Sequence, residues 1–337
     1  MECAMDVNFT EEQEMLRASA RDFLEKECTD DIITEVEAGR LGYSPDLWNK
    51  ITELGWLGLV FPEQYGGSEM NLVDLAVLYE EFGRAEFASP YTSTIVLGGL
   101  TILEVGSESQ KSDILPKLIE GEAIIAATLS ASDPGLEGTE LRPDEVTISA
   151  TFDGEDYLLS GVRLFVHNAA IADYFLVPAR TNSGNNPEDG ITLFLIDAHS
   201  PGLNITRLTT ISGDNQCEVI FYNVRVNTDN IIGKPDEGWA PLSRSTQIAE
   251  VMMASQMLGA GERLYKDSED DFITRLESGI PDDVKQHNEE YLANLKKDID
   301  SCRQITYEAA NKLADGASFN FEGSITGNWS KYAHQNA

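Results

Sequence analysis

Apolar residues recur at helical spacing through the first third of the chain. Thr10 followed by Gln13 forms a capping box, and Leu16, Ala20, Phe23 and Leu24 fall on one face behind it. Ser44-Pro45 sets a cap residue before a proline at the first helical position, with Leu47, Trp48, Ile51 and Leu54 following. Asn71 caps a helix whose inward face is Leu72, Leu75, Leu78 and Phe82, and Gly83 is expected to stop it. Ser107 with Gln110 repeats the capping box ahead of a short helix ending near Glu120. Residues 1–122 are read as an all-α domain.

From about Ala123 the period changes to alternation. Val146, Ile148, Ala150 and Phe152 alternate with polar partners, and Asp153-Gly154 supplies a turn before Tyr157 to Leu159. Further strands are expected at Arg163–Val166, Tyr174–Ala179, Ile191–Ile196 and Glu218–Val226, and Asn182 to Pro187 reads as a loop. Such short strands make residues 123–236 a compact β barrel or sandwich. After Gly238 the helical period returns. One helix is expected from about Pro241 to Tyr265, with Ile248, Val251, Met252, Ser255 and Leu258 inward; a second runs from near Asp282 to about Ala314. The fold class is α+β, in the order α, β, α, with a helical part over 237–337.

Charge narrows the partners. With 24 basic and 58 acidic residues the formal charge is -34, which repels phosphate backbones and anionic lipid. Nucleic-acid and membrane-surface roles are therefore not expected, and the plain reading is a strongly solvated surface. The apolar run near Ile95 to Leu103 is too short to span a bilayer, and the first residues carry neither a basic nor an apolar signal region. Cys3, Cys28, Cys217 and Cys302 stand far apart, and His167, His199, His287 and His334 are scattered. That pattern fits reduced thiols in a cytoplasm and argues against a disulfide framework or a metal site.

Several local motifs stand in one order. Gly55-Trp56-Leu57-Gly58-Leu59 precedes Phe61-Pro62-Glu63-Gln64-Tyr65-Gly66-Gly67. Gly106-Ser107-Glu108-Ser109-Gln110-Lys111 leads to Leu115-Pro116 and Gly121-Glu122. Asp153-Gly154 runs on to Gly161-Val162-Arg163-Leu164-Phe165-Val166, followed by Ala172 to Val177, Val219 to Val226, Ile231-Ile232-Gly233 and Glu237-Gly238-Trp239. Together these resemble the flavin-dependent acyl-CoA dehydrogenases over about residues 6 to 265, with a looser match from Asp298 to Ala314. The resemblance implies an N-terminal all-α domain, a central β-barrel domain and a C-terminal helical bundle, here incomplete. It also implies FAD, an acyl-CoA substrate, and a homo- or hetero-oligomer (dimer or tetramer) with a related dehydrogenase subunit. The implied chemistry is removal of an α proton by a glutamate while the β hydrogen leaves as hydride to the flavin.

The same resemblance names site residues. Ser132-Asp133-Pro134 is similar to the family's flavin-lining turn, with Leu129 and Ala131 beside it; an ordinary polar turn is the alternative. Thr139 stands near the family's contact to the CoA arm. Phe165 occupies the place of an aromatic that packs on the flavin, and His167 stands where the family has a small hydroxyl; a structural histidine is the alternative. Tyr265 and Phe272 keep the spacing of a helix end in which Glu269 replaces an arginine and Ile273 a glycine. The usual catalytic glutamate and a glycine-rich FAD-contacting segment are expected beyond Ala337, where the chain stops. Asp270 is the candidate base within it, although the run Asp267 to Asp271 also reads as a solvated acidic face. Two functions follow: an FAD-dependent acyl-CoA dehydrogenase or a subunit of one, and a non-catalytic structural or acyl-CoA-binding subunit of the same fold.

Overall fold

A computed structural model of the chain describes residues 9–129, 142–210, 214–279 and 281–316. These form two compact units. One comprises the described residues within Met1–Thr29, Met70–Phe87 and Glu250–Ala337, the other those within Asp30–Glu69 and Ala88–Ala249.

The first unit is helical. Helix α1 (Glu11–Glu27) starts where the capping box places it: the Thr10 hydroxyl accepts from the Gln13 amide at 3.2 Å, and the Gln13 side chain accepts from Thr10 N at 3.0 Å. Gln13 then donates to Asp74 at 2.9 Å, and Asp74 closes a second capping box with Asn71 at the start of α4 (Leu72–Arg84). Gly83 does not stop α4, which runs one residue further. Its missing Cβ instead admits helix α7 (Trp239–Ser278). A Cβ on Gly83 would meet the Gln256 carbonyl oxygen at 1.7 Å, and one on Gly259 would meet that of Glu80 at 1.8 Å. All four residues belong to this unit.

A charged network is buried within the same unit. Glu80 and Glu81 are each 1% exposed. Arg21 grips Glu81 with two bonds, at 2.6 and 3.0 Å, while Arg303 and the Tyr307 hydroxyl hold Glu80 at 3.0 and 2.6 Å. Glu262 takes Arg84 and Arg303 together. Burying carboxylates is tolerable only with this completeness of pairing.

In the second unit α2 (Asp30–Ala38), α3 (Pro45–Glu53), a π-helical segment Thr92–Gly99, α5 (Leu100–Val105) and α6 (Glu108–Ile119) accompany a sheet. Ser107 and Gln110 cap α6 as expected, and Ser44 caps α3. Its strands are β1 (Ile125–Ala127), β2 (Ser149–Phe152), β3 (Tyr157–His167), β4 (Tyr174–Arg180), β5 (Ile191–Asp197), β6 (Leu203–Arg207), β7 (Gln216–Val226) and β8 (Ile231–Ile232). The hydrogen-bonded order is β6-β7-β3-β2-β4-β5-β8, with β1 parallel to β4 off that path. Inward side chains, among them Phe175, Val177, Phe194, Ile196, Val219 and Phe221, make one apolar core.

Two expected strands, Tyr157–Leu159 and Arg163–Val166, are one continuous β3, and β1, β6 and β8 add to the expected set. The joining is possible because β3 and β7 carry opposed bulges. Between Leu159↔Val224 and Gly161↔Phe221 the extra residue lies in β7, where Asn223 takes φ +48°. Between Arg163↔Val219 and Val166↔Cys217 it lies in β3, where Phe165 takes φ +58°, which restores the register.

The chain's last described helix is α8 (Asp282–Ala314), which has the bounds its periodicity predicts. By contrast, α7 continues 13 residues past Tyr265, along a stretch stitched by Arg263–Asp267, Lys266–Asp270 and Arg275–Asp271 pairs four residues apart. Among the described residues no helix is long and apolar enough to cross a membrane.

Candidate functional site

The expected flavin-lining residues that the structure describes lie in the sheet unit, where the π-helical segment ties two strand ends together. Thr94, fully buried, accepts from Ile125 N at 3.2 Å and faces Ile125 O at 3.4 Å, so its hydroxyl satisfies the backbone of β1. Gly98 lets the segment lie against β1, since a Cβ there would sit 2.8 Å from the Ile125 side chain. One residue before Thr94, Ser93 accepts from the Asn168 side chain at 3.2 Å. Asn168 follows His167 directly and takes φ +62°, a turn conformation that asparagine tolerates. The end of β3 and the strand leading to Leu129 are thus fixed to one element. Wide-turn helical segments of this kind recur at functional sites.

Phe165 owes its position to the β3 bulge. In a regular strand residues three apart point to opposite faces, yet Arg163 and Val166 are both buried. The extra residue reconciles them, and Phe165 takes up the displacement in a left-handed conformation that is strained for a bulky side chain. It is left half-buried, as is Leu129, while His167 turns outward.

His167 pairs in register with Gln216 of β7. The Gln216 side-chain nitrogen lies 3.3 Å from His167 Nε2 and donates to Asp214 Oδ2 at 2.6 Å. The second Asp214 oxygen accepts from the Thr210 hydroxyl at 2.6 Å. Loss of hydration from the surrounding protein pushes the imidazole below its ordinary range, against the pull of the Asp214 charge. Spacing along the chain gave no sign of this row, because its members meet only through strand register.

Leu129, Phe165 and His167 are therefore in one unit. Ala131, Ser132 and Thr139 lie outside the described residues. Asp270 stands on the part of α7 that belongs to the helical unit, more than half exposed, with Lys266 Nζ at 3.1 Å. The Tyr265 hydroxyl donates to Glu269 at 3.0 Å, and Lys266 lies 3.6 Å from the same carboxylate. Asp270 is thus a member of an exposed ion-pair row.

The donor set agrees with part of FAD. Leu129 and Phe165 are half-buried apolar side chains and His167 an exposed imidazole of the same unit, residue types that suit a planar heteroaromatic ring. Glu269 and Asp270 with one lysine between them do not suit a diphosphate. No group of histidine, cysteine, aspartate and glutamate among the described residues is arranged to hold a metal ion.

Comparison with known proteins bears on the whole chain. Residues 10–122 match the acyl-CoA dehydrogenase N-terminal domain and residues 128–224 the acyl-CoA dehydrogenase middle domain. An acyl-CoA dehydrogenase of Bacillus subtilis is 28% identical over 327 residues, 95% of this chain and 83% of the relative. The structure of butyryl-CoA dehydrogenase from Megasphaera elsdenii superposes with a TM-score of 0.80 at 26% identity, covering 94% of this chain and 82% of that one. PigA with FAD and proline shares the fold, with a TM-score of 0.81 at 23% identity, covering 93% of this chain and 82% of its own. Two consecutive domains of one family account for nearly all of residues 10–224, and the fold agrees: the chain belongs to the acyl-CoA dehydrogenase family.

Proposed function

We propose that the chain is an acyl-CoA dehydrogenase-like flavoprotein that oxidises an acyl-CoA thioester between its α and β carbons. The observation that supports this most directly is the gathering of Leu129, Phe165 and His167 at strand ends tied to one π-helical segment. FAD, when bound, supplies the acceptor for the hydride. Leu129 and Phe165 form the apolar wall for its ring, and the strained Phe165 backbone, held on both sides by β7 pairing, keeps that wall from relaxing. His167 adds a polar contact at the wall's edge. Ala131 and Ser132 are assigned to the ring, and Thr139 to the substrate's CoA arm, on the resemblance of their motifs. Asp270 is assigned as the base only on the resemblance of its position, and its exposed pairing with Lys266 argues against that role.

A second reading, a non-catalytic or acyl-CoA-binding subunit, draws on the α7 carboxylates. Glu269 held by Tyr265 and Asp270 held by Lys266 form a face unsuited to a diphosphate. The two readings meet in one assembly: an oligomer, working in the cytoplasm, in which a related dehydrogenase subunit supplies the diphosphate contacts.

Titration of the purified chain with FAD, followed by flavin fluorescence, tests the ring assignment. We expect saturable but weak binding, lost on gel filtration and tightened by co-expression with a related subunit. Phe165→Ala should weaken it about tenfold, the loss of one buried aromatic contact. Equal affinity in the variant, or no binding by the wild-type chain at saturating FAD, sinks the assignment.

A further inference from the structure

We infer that Asp214 and Gln216 position His167 as a neutral imidazole with its proton on Nδ1, and that this N–H is the donor the chain offers to an acceptor atom on the edge of the flavin ring. The second half of this inference rests on the flavin reading above; the first half does not.

Asp214 anchors the row. Both carboxylate oxygens accept strong bonds, Oδ1 from the Thr210 hydroxyl at 2.6 Å and Oδ2 from Gln216 at 2.6 Å. An amide has a donating and an accepting end, and its orientation follows from its partners. Were the amide of Gln216 reversed, its oxygen would face the carboxylate at that short distance, lone pair against lone pair. The NH2 group therefore faces Asp214. The same nitrogen lies 3.3 Å from His167 Nε2, and it has a second hydrogen to give. It can only donate, so Nε2 must accept and carries no proton. A neutral imidazole whose Nε2 is bare holds its proton on Nδ1.

The backbone keeps the row in place. Gln216 N donates to Asp214 O at 3.0 Å, Leu208 N to Gln216 O at 2.8 Å, and Asn168 N to Asn215 O at 2.9 Å. The neutral state is also favoured by the depressed imidazole pKa, in which loss of hydration outweighs the Asp214 charge. Nδ1 itself bonds to no described residue, and His167 is exposed at a strand end beside Phe165. A fixed donor with an open partner position, adjoining a strained aromatic, is what a site with one acceptor to recognise requires. Gln216 and Asp214 act through His167 and are positioning residues.

The test uses the full chain with 15N-labelled histidine. Long-range proton–nitrogen spectra at neutral pH, without flavin, read which ring nitrogen carries the proton. We expect the Nδ1–H pattern for His167 in the wild-type chain, and its loss, in favour of Nε2–H or a mixture, in Gln216→Ala. A wild-type ring protonated on Nε2, or a pattern unmoved in Gln216→Ala, overturns the positioning. The wild-type spectrum needs no variant to fold, so that half stands or falls by itself.

FAD titration reads the second half. His167→Ala should bind about threefold to tenfold more weakly, the loss of one hydrogen bond, and shift the flavin absorption maximum. His167→Thr, which restores a side-chain donor, should recover much of both. Equal affinity and an unchanged spectrum in His167→Ala overturn the assignment of the donor to flavin. Absence of FAD binding by the wild-type chain overturns the flavin reading and that assignment, while the tautomer measured without flavin remains decided by the first experiment.

Discussion

Glu81 is 1% exposed against the Arg21 guanidinium, and its burial outweighs the pairing, so its carboxyl is pushed above the ordinary value. A group whose folded value lies above its unfolded one binds its proton more tightly in the fold. Its stabilising contribution is then complete below the unfolded value, at about pH 4.3, and is lost as pH rises through the folded value. This is opposite in sign to an ordinary salt-bridged carboxylate. The urea midpoint of the wild-type chain relative to Glu81→Gln should therefore fall as pH rises just above about 4.3 and then level off. A flat difference, or one that moves in favour of the wild type with rising pH, refutes the assignment. Glu269 and Asp270 are placed otherwise: those acids face solvent and share Lys266, and exposed pairs of this kind contribute little to stability. The acidic run from Asp267 to Asp271 was legible in the sequence as a solvated face. The embedding of Glu80 and Glu81 was not, because Arg303 and Tyr307 reach Glu80, and Arg21 reaches Glu81, only through the fold.

Helix α4 shows where local rules end and packing begins. Its start at Asn71 was legible, as were the capping boxes of α1 and α6, because caps are settled within four residues. Gly83 reads as a stop by the same local logic, yet it marks a close approach to Gln256. Replacing it with alanine sets two effects against each other. Helix propensity gains about 1 kcal/mol. The added Cβ falls 1.7 Å from a carbonyl oxygen, and backbone cannot rotate away as a side chain would, so overpacking costs about 1–3 kcal/mol or more. Gly83→Ala should be net destabilising by about 1 kcal/mol or more in chemical denaturation; an unchanged or stabilised variant would show that α4 and α7 do not cross this closely. In the sheet, β1 and β8 are too short for any alternating pattern, and the β3 bulge is carried by phenylalanine rather than glycine, so neither was visible. Only the motif around them marks Phe165 and His167 in the sequence. Gln216 and Asp214, which set the histidine, sit 47 to 49 residues further along the chain.

For the whole molecule the dominant quantity is charge. Fifty-eight acidic residues against 24 basic ones leave a formal -34, and many of the cations are already engaged in pairs along the helices. Salt screens both these pairs and the general repulsion, but the excess charge is acidic, so more repulsion than attraction is removed. Between 0.1 M and 1 M sodium chloride the screening length falls from ~10 Å to ~3 Å. The melting temperature should rise across that range, and a flat or falling one would show that self-repulsion does not limit this fold. The division of the chain into units bears on how the molecule is made. The helical unit is assembled from three separate stretches, within Met1–Thr29, Met70–Phe87 and Glu250–Ala337, with sheet-unit residues between them. On a ribosome α1 emerges before the partners that complete its unit. Until α8 arrives, Glu80 of α4 waits for an arginine and a tyrosine not yet synthesised, beside an apolar face with nothing to cover it. The nascent chain is thus open to misassembly until α8 has emerged, and a chaperone that shields α1 and α4 during that interval would act where the fold cannot yet protect itself.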